Sequence, residues 1–266
     1  MNILMVGDLH YALRQYDWLL SVAPDHDAVI IAGDLLEVAS VVPHDAQIVV
    51  VTEYLRRLCA MTQVFVCSGN HDLDAETPDG ERLATWLPRL GIPAVVRDGQ
   101  SATLGPVLIS CFPWWDGPET REAIAAQMAR DAARRSGAKG MWIWVHHAPP
   151  SDSPVSWNGR RSFGDQALSG WIAEYRPTLV LSGHVHEAPF VEGGGWVDRV
   201  GGTWVFNMGQ QPGDAPTHVI IDTEAGGAAW FSLAGRERIC LRDEDAEPQP
   251  ITDLPAWLTA GDRISP

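Results

Sequence analysis

The chain has 266 residues, 45% hydrophobic and 20% charged, enough for one large domain with a sizeable core. Its formal net charge of −15 argues against a nucleic acid polymer as partner, because phosphate contacts need clustered Lys and Arg. No apolar run approaches the roughly 18–20 residues of a membrane span, and Met1 to Val6 carries no basic leader. The expectation is therefore a cytoplasmic protein without a membrane partner.

In chain order, an apolar run at 3–6 ends at Asp8-Leu9-His10, and a helical pattern follows at about 12–22. A second run at 28–32 ends at Gly33-Asp34. A helix is expected at about 45–61, with Ile48, Val51, Leu55 and Leu58 on one stripe. The run at 64–67 leads into Gly69-Asn70-His71-Asp72. An Ala-rich helix is expected at about 119–136, with Pro118 near its first turn.

The run at 141–145, where Trp142 and Trp144 read as packing residues, ends at His146-His147. After a helix at about 164–174, a run at 178–181 ends at Gly183-His184-Val185-His186. Short strands are then expected at 189–191, 196–199, 203–207, 217–222 and 228–233, separated by glycine-rich turns such as Gly193-Gly194-Gly195. The first half reads as β-α-β-α-β with buried strands. The second half reads as a largely antiparallel sheet packed on the first, with helices outside. One domain is expected over 1–240, with 241–266 a tail of unassigned structure. Cys59, Cys67, Cys111 and Cys240 show no repeated spacing and are expected as free thiols. His26, His44 and His218 have no evident partners and are expected on the surface or in loops.

Taken singly, the five polar islands are weak signals. Gly-Asp after a strand is commonly a turn, and His-x-His can place two imidazoles on one strand face without a metal. Together, and each at a strand end, they supply carboxylate, amide and imidazole donors that suit Mn, Fe or Zn. Sites in α/β sheets gather outside the carboxyl ends of the strands, so the islands should converge. There are more candidate ligands than one ion takes, which points to two ions sharing a carboxylate. Such pairs, about 3.5–4 Å apart, clamp the attacking and leaving oxygens of phosphate esters. No Ser or Cys stands in a recognisable nucleophile setting.

The ordered set Asp-x-His, Gly-Asp, Gly-Asn-His-Asp, His and Gly-His-x-His resembles the calcineurin-like metallophosphoesterases, over residues 7 to 186. The resemblance implies an α/β fold, a four-layer α/β/β/α sandwich of two mixed sheets flanked by helices. It also implies two divalent metal ions, Mn, Fe or Zn. Asp8, His10 and His186 would hold one ion, Asn70, His147 and His184 the other, and Asp34 would bridge them. His147 is chosen over His146 because His147-Ala148-Pro149 matches the family's His-x-Pro spacing. His71 would donate a proton to the leaving oxygen, and Asp72 beside it would fix its tautomer. The implied partner is a small-molecule phosphate ester, a phosphodiester before a phosphomonoester, with a non-catalytic binding protein as a further alternative. Trp114, Trp115 and Arg160 are expected to touch substrate, the rings by stacking and the arginine on a phosphate. Arg161 and Asn207 flank the same region.

Overall fold

The structure is a computed structural model and describes residues 1–135 and 140–252. From the N-terminus run β1 (Asn2–Val6), α1 (Leu13–Val22), β2 (Ala28–Ala32), α2 (His44–Cys59) and β3 (Gln63–Cys67). A small hairpin, β4 (Ala75–Glu76) and β5 (Arg82–Leu83), precedes β6 (Val95–Val96), β7 (Ser101–Leu104), β8 (Val107–Cys111) and α3 (Pro118–Arg135). Then come β9 (Trp142–Val145), α4 (Gln166–Tyr175), β10 (Leu179–Ser182), β11 (Val197–Val200) and β12 (Thr203–Asn207). The last strands are β13 (His218–Asp222), β14 (Gly227–Phe231), β15 (Arg236–Cys240) and β16 (Gln249–Pro250).

Two mixed sheets stack face to face. The first has the order β16-β15-β14-β13-β1-β2-β3-β6 and the second β11-β12-β10-β9-β8-β7. Pairing is parallel from β1 through β2 and β3 to β6, and parallel from β8 through β9 and β10 to β12. Antiparallel strands extend both cores. This corrects the expected division of the later strands. β11 and β12 join the second sheet, whereas β13, β14 and β15 extend the first through the antiparallel pair β1–β13. The stretch 189–191 is not a strand: Ala188–Phe190 forms a 3-10 turn beginning around Pro189, which has no amide to give a ladder.

The parallel strands are apolar along their length, as in the fully buried Ala28-Val29-Ile30-Ile31-Ala32, because both faces are covered. Ile3, Ile30, Phe65, Ile143, Leu181 and Phe206 fill the space between the sheets. Leu19, Val51, Leu55 and Leu58 seat α1 and α2 on the outer face of the first sheet. Ile124, Met128, Leu168 and Ile172 seat α3 and α4 on the second, against Trp142 and Trp144. The layers are thus helix, sheet, sheet, helix.

All four cysteines are free. Among the described residues, no helix is long and apolar enough to cross a membrane. β16 pairs with β15, so the region after 240 begins within the first sheet's edge; of the expected tail, 253–266 lie outside the described residues.

Candidate active site

Strands β1, β2 and β3 of one sheet and β9 and β10 of the other end on the same side, and the five islands are the loops that follow them. Backbone bonds tie these loops together. Asp8 N donates to Gly33 O at 3.1 Å, His10 N to Asp34 O at 3.0 Å, and Gly183 N to His147 O at 2.9 Å. The geometry forces unusual backbone. Asp8, His10, Asp34 and His184 have φ of 51°, 44°, 50° and 72°, left-handed values that non-glycine residues rarely hold. Strain of this kind persists only where its surroundings over-determine it, and it clusters at functional sites.

Two buried carboxylates form the centre. Asp8 accepts from His184 N at 3.1 Å on each oxygen, and Asp34 Oδ1 accepts from His71 N at 2.9 Å. These amides fix both side chains. Close approach also explains two of the glycines: a Cβ at Gly69 would overlap Asp34 Oδ1, and one at Gly183 would overlap Asp8 Oδ2.

Around the carboxylates stand imidazoles. His147 Nε2 lies 3.1 Å from Asp34 Oδ2, and His186 Nε2 lies 3.3 Å from Asp8 Oδ1. His10 Nε2 is 3.7 Å from Asp34 Oδ2 and 3.0 Å from His186 Nε2. His184 Nδ1 is 2.9 Å from Asn70 Oδ1. Every ion pair of Asp8 and Asp34 among the described residues is to one of these histidines or to His71. Among the described residues no lysine or arginine balances them.

Burial would raise Asp8, but His186 and His147 overcome it and hold the carboxyl below its usual range. Asp34 is likewise driven low, His147 and His10 outweighing its burial. The reciprocal effect lifts His147: burial opposes its charge, yet Asp34 and Asp8 raise it to about 9. Burial and then the neighbouring His147 push His184 down to about 4.

This donor set fits a divalent cation. His147 Nδ1–H donates to the Ala32 carbonyl at 2.7 Å, so Nε2 is the ring nitrogen that faces Asp34. A carboxylate oxygen and an imidazole lone pair at 3.1 Å need a cation or a proton between them. The His10 and His186 nitrogens face each other with the same need. Asp8, His10, Asp34 and His186 bring ligand atoms within 4.8 Å of one another and could hold such an ion. His146 turns elsewhere: it is fully buried, with Nδ1 3.0 Å from Ala148 O and no ion pair to either carboxylate.

The expectation for Asp72 is corrected. Its carboxylate accepts from Leu35 N and Leu36 N at 2.9 Å and from Gly69 N at 2.8 Å, and pairs with no histidine. It is a buried brace between the second and third islands, with its pKa raised by burial and then by Asp34. The carboxylate beside His71 is Glu37, which the sequence reading did not single out. Its Oε1 is 3.3 Å from His71 Nδ1 and its Oε2 3.2 Å from His10 Nδ1. Its spacing three residues after Asp34 is the signal that would have found it.

The aromatic expectation divides. Trp114 lies against the imidazoles, its ring centroid 5.1 Å from His184 and 5.7 Å from His147. Trp115 lies further out and donates Nε1–H to Asp165 Oδ2 at 2.5 Å. Both line a cavity of about 460 Å³ that also meets Ala148, Phe163 and Arg121. Arg160 does not line it. Its backbone nitrogen is held by Asn158 in an exposed turn, while Arg161 stacks on Phe163 at 4.3 Å. Asn207 is a buried brace, donating to Val155 O and Val185 O. His44 Nε2 lies 3.0 Å from His71 O. His218, expected outside, is buried between Trp18 and Phe231.

Layers, strand-end loops and carboxylate–imidazole cluster define a phosphoesterase architecture with a candidate metal centre. The calcineurin-like phosphoesterase family matches residues 1–188, about 70% of the chain, and the protein belongs to that family. No curated protein sequence matches the chain. Among solved structures it is similar to TT1561 of Thermus thermophilus, at 14% identity and TM-score 0.55, over 94% of this chain and 98% of that one. It is also similar to the purple acid phosphatase PPD1 from yellow lupin seeds, at 12% identity and TM-score 0.52. That likeness covers 93% of this chain and 52% of the lupin enzyme. At these identities the structural likeness speaks for the fold alone.

Proposed function

We propose that the protein hydrolyses phosphate esters at a site holding two divalent ions, with a small-molecule phosphodiester as substrate. What carries the reading is the convergence of two buried carboxylates and four imidazoles, with no lysine or arginine among the described residues paired to the carboxylates. Asp8, His10 and His186 would hold one ion and Asn70, His147 and His184 the other, with Asp34 shared. When bound, such ions would supply Lewis acidity toward phosphoryl oxygens and would lower the pKa of water toward neutrality.

The chain's own residues do the rest. The His184 and His71 amides keep the Asp8 and Asp34 carboxylates aimed at the cluster. Glu37 faces the Nδ1 atoms of His10 and His71, so the Nε2 of each ring points inward. From there His71 gives its Nε2 proton to the leaving oxygen. Trp114 packs its ring against His147 and His184 and holds their imidazoles in place. All candidate ligands lie between Asp8 and His186, so the catalytic unit is taken as residues 1–240. A cytoplasmic location remains part of the same proposal.

The test is a panel of mono- and diesters, cyclic nucleotides included, with Mn added to the purified protein. Turnover of diesters above monoesters is expected. Activity confined to monoesters would move the assignment to a phosphomonoesterase, and no activity with any ester would overturn it.

A further inference from the structure

The cavity beside the metal cluster carries more chemistry than a wall for one ring. Trp114, Trp115 and Phe163 line it, and Trp114 and Phe163 also approach His184, at 5.1 and 6.5 Å between centroids. The space therefore adjoins the cluster on its His147–His184 side. Its volume of about 460 Å³ falls within the roughly 300–1,000 Å³ of small-molecule sites.

Two guanidinium groups flank these rings. Arg121, in the first turns of α3, lies over Trp115 at 5.4 Å, and Arg161 lies over Phe163 at 4.3 Å. Among the described residues neither has a carboxylate partner. In a chain of net charge −15, two arginines left without acids beside one cavity are notable. The carboxylate that does line the cavity is already committed. Asp165 Oδ1 caps α4 through Ala167 N and Leu168 N, and its Oδ2 accepts from Trp115 Nε1. Stacked guanidiniums keep their planar N–H edges free for an anion such as phosphate.

Resting on the phosphoesterase reading above, we propose that this cavity is a subsite for a planar ring followed by a second anionic group. The substrate is then a nucleoside diphosphate derivative rather than a simple aryl diester. The ring stacks among Trp114, Trp115 and Phe163, one phosphate meets Arg121, and the other lies over the carboxylate–imidazole cluster. Hydrolysis adds water across the P–O–P link. The water oxygen forms the new P–O bond, the bridging P–O bond breaks, and the protons pass to the two phosphate products or to solvent.

The binding test uses calorimetric titration of the full chain, without added metal, with adenosine and with ADP. ADP is expected to bind about 10- to 100-fold more tightly than adenosine, the worth of a charge-assisted hydrogen bond. Arg121→Gln, an exposed helix position, should remove that preference and leave adenosine binding within about twofold. Trp115→Ala should weaken both ligands, and Arg160→Gln neither. Equal affinity for adenosine and ADP in the unaltered protein, or a full ADP preference in Arg121→Gln, would overturn the subsite. A parallel assay on bis(4-nitrophenyl) phosphate with Mn separates the two readings. Turnover there without any ADP preference sinks the subsite alone. ADP preference without turnover of any ester upholds the subsite as a binding site and sinks the phosphoester-hydrolase reading.

Discussion

Replacing Gly69 by alanine probes how closely the third island must approach the second. Gly69 has φ −112° and ψ −173°, extended backbone that alanine adopts freely, so any effect comes from the added methyl group. That methyl would overlap Asp34 Oδ1, the oxygen that accepts from His71 N, and would lie 2.5 Å from the Asp34 backbone nitrogen. Ordinary contact begins at 3.4 Å, so the two loops must separate by roughly 1 Å, a displacement that can cost on the order of 10²-fold in rate. At about 1.4 kcal/mol per tenfold, this is about 3 kcal/mol of transition-state stabilisation. The assay is turnover of bis(4-nitrophenyl) phosphate beside circular dichroism, with Gly170→Ala as control. A Cβ at Gly170 in α4 meets nothing within 4 Å, so that change should only stabilise, by about 0.5–1 kcal/mol. A Gly69→Ala protein with unaltered turnover would refute the argument that these loops hold Asp34 by contact.

Three further outcomes are expected. His71→Ala should keep its metal and lose about 10²–10⁴-fold in turnover, with a smaller loss for a nitrophenolate leaving group; metal lost with His71 would make it a ligand instead. Trp115→Ala should raise KM for a ring-bearing diester more than it lowers kcat, because Trp115 lines the cavity and not the cluster; unchanged kinetics of a Trp114/Trp115 double alanine variant would remove both rings from the site. His218 is held to about 4 from an ordinary 6.5, by burial, so the unfolded chain takes up its proton first as pH falls. Stability should therefore drop between pH 6.5 and 4 by about 3 kcal/mol from this group. His218→Phe should flatten the urea-midpoint curve across that window, and an identical slope in the variant would contradict the assignment.

The convergence of the candidate donors was legible because chemistry and chain direction coincide: Asp8, Asp34, Asn70, His147 and His184 each follow an apolar run that is a strand. What the sequence hid depends on contacts across the fold. Asp72 adjoins His71 in sequence, yet its side chain points to the Leu35 and Leu36 amides, and Glu37 takes the place beside the ring. Arg160 neighbours Arg161, but the loop turns it outward, while Arg121 reaches the cavity from a helix well before it in the chain. The strands β11 to β15 are short runs between turns, and nothing local says which sheet each will join; β13 is placed by its pairing with β1 at the opposite end of the chain. The burial of His218 could not be read locally because its ring partners, Trp18 and Phe231, come from other elements.

The central claim is that Asp34 is shared by two cations, and metal content tests it most directly. Asp34→Asn keeps size and hydrogen-bonding shape while removing the charge that raises His147 and faces His10. Elemental analysis of protein purified with Mn should find two ions per chain in the unaltered protein and one or none in Asp34→Asn, with circular dichroism unchanged. Two ions retained by Asp34→Asn, or no bound metal in the unaltered protein, would contradict the account.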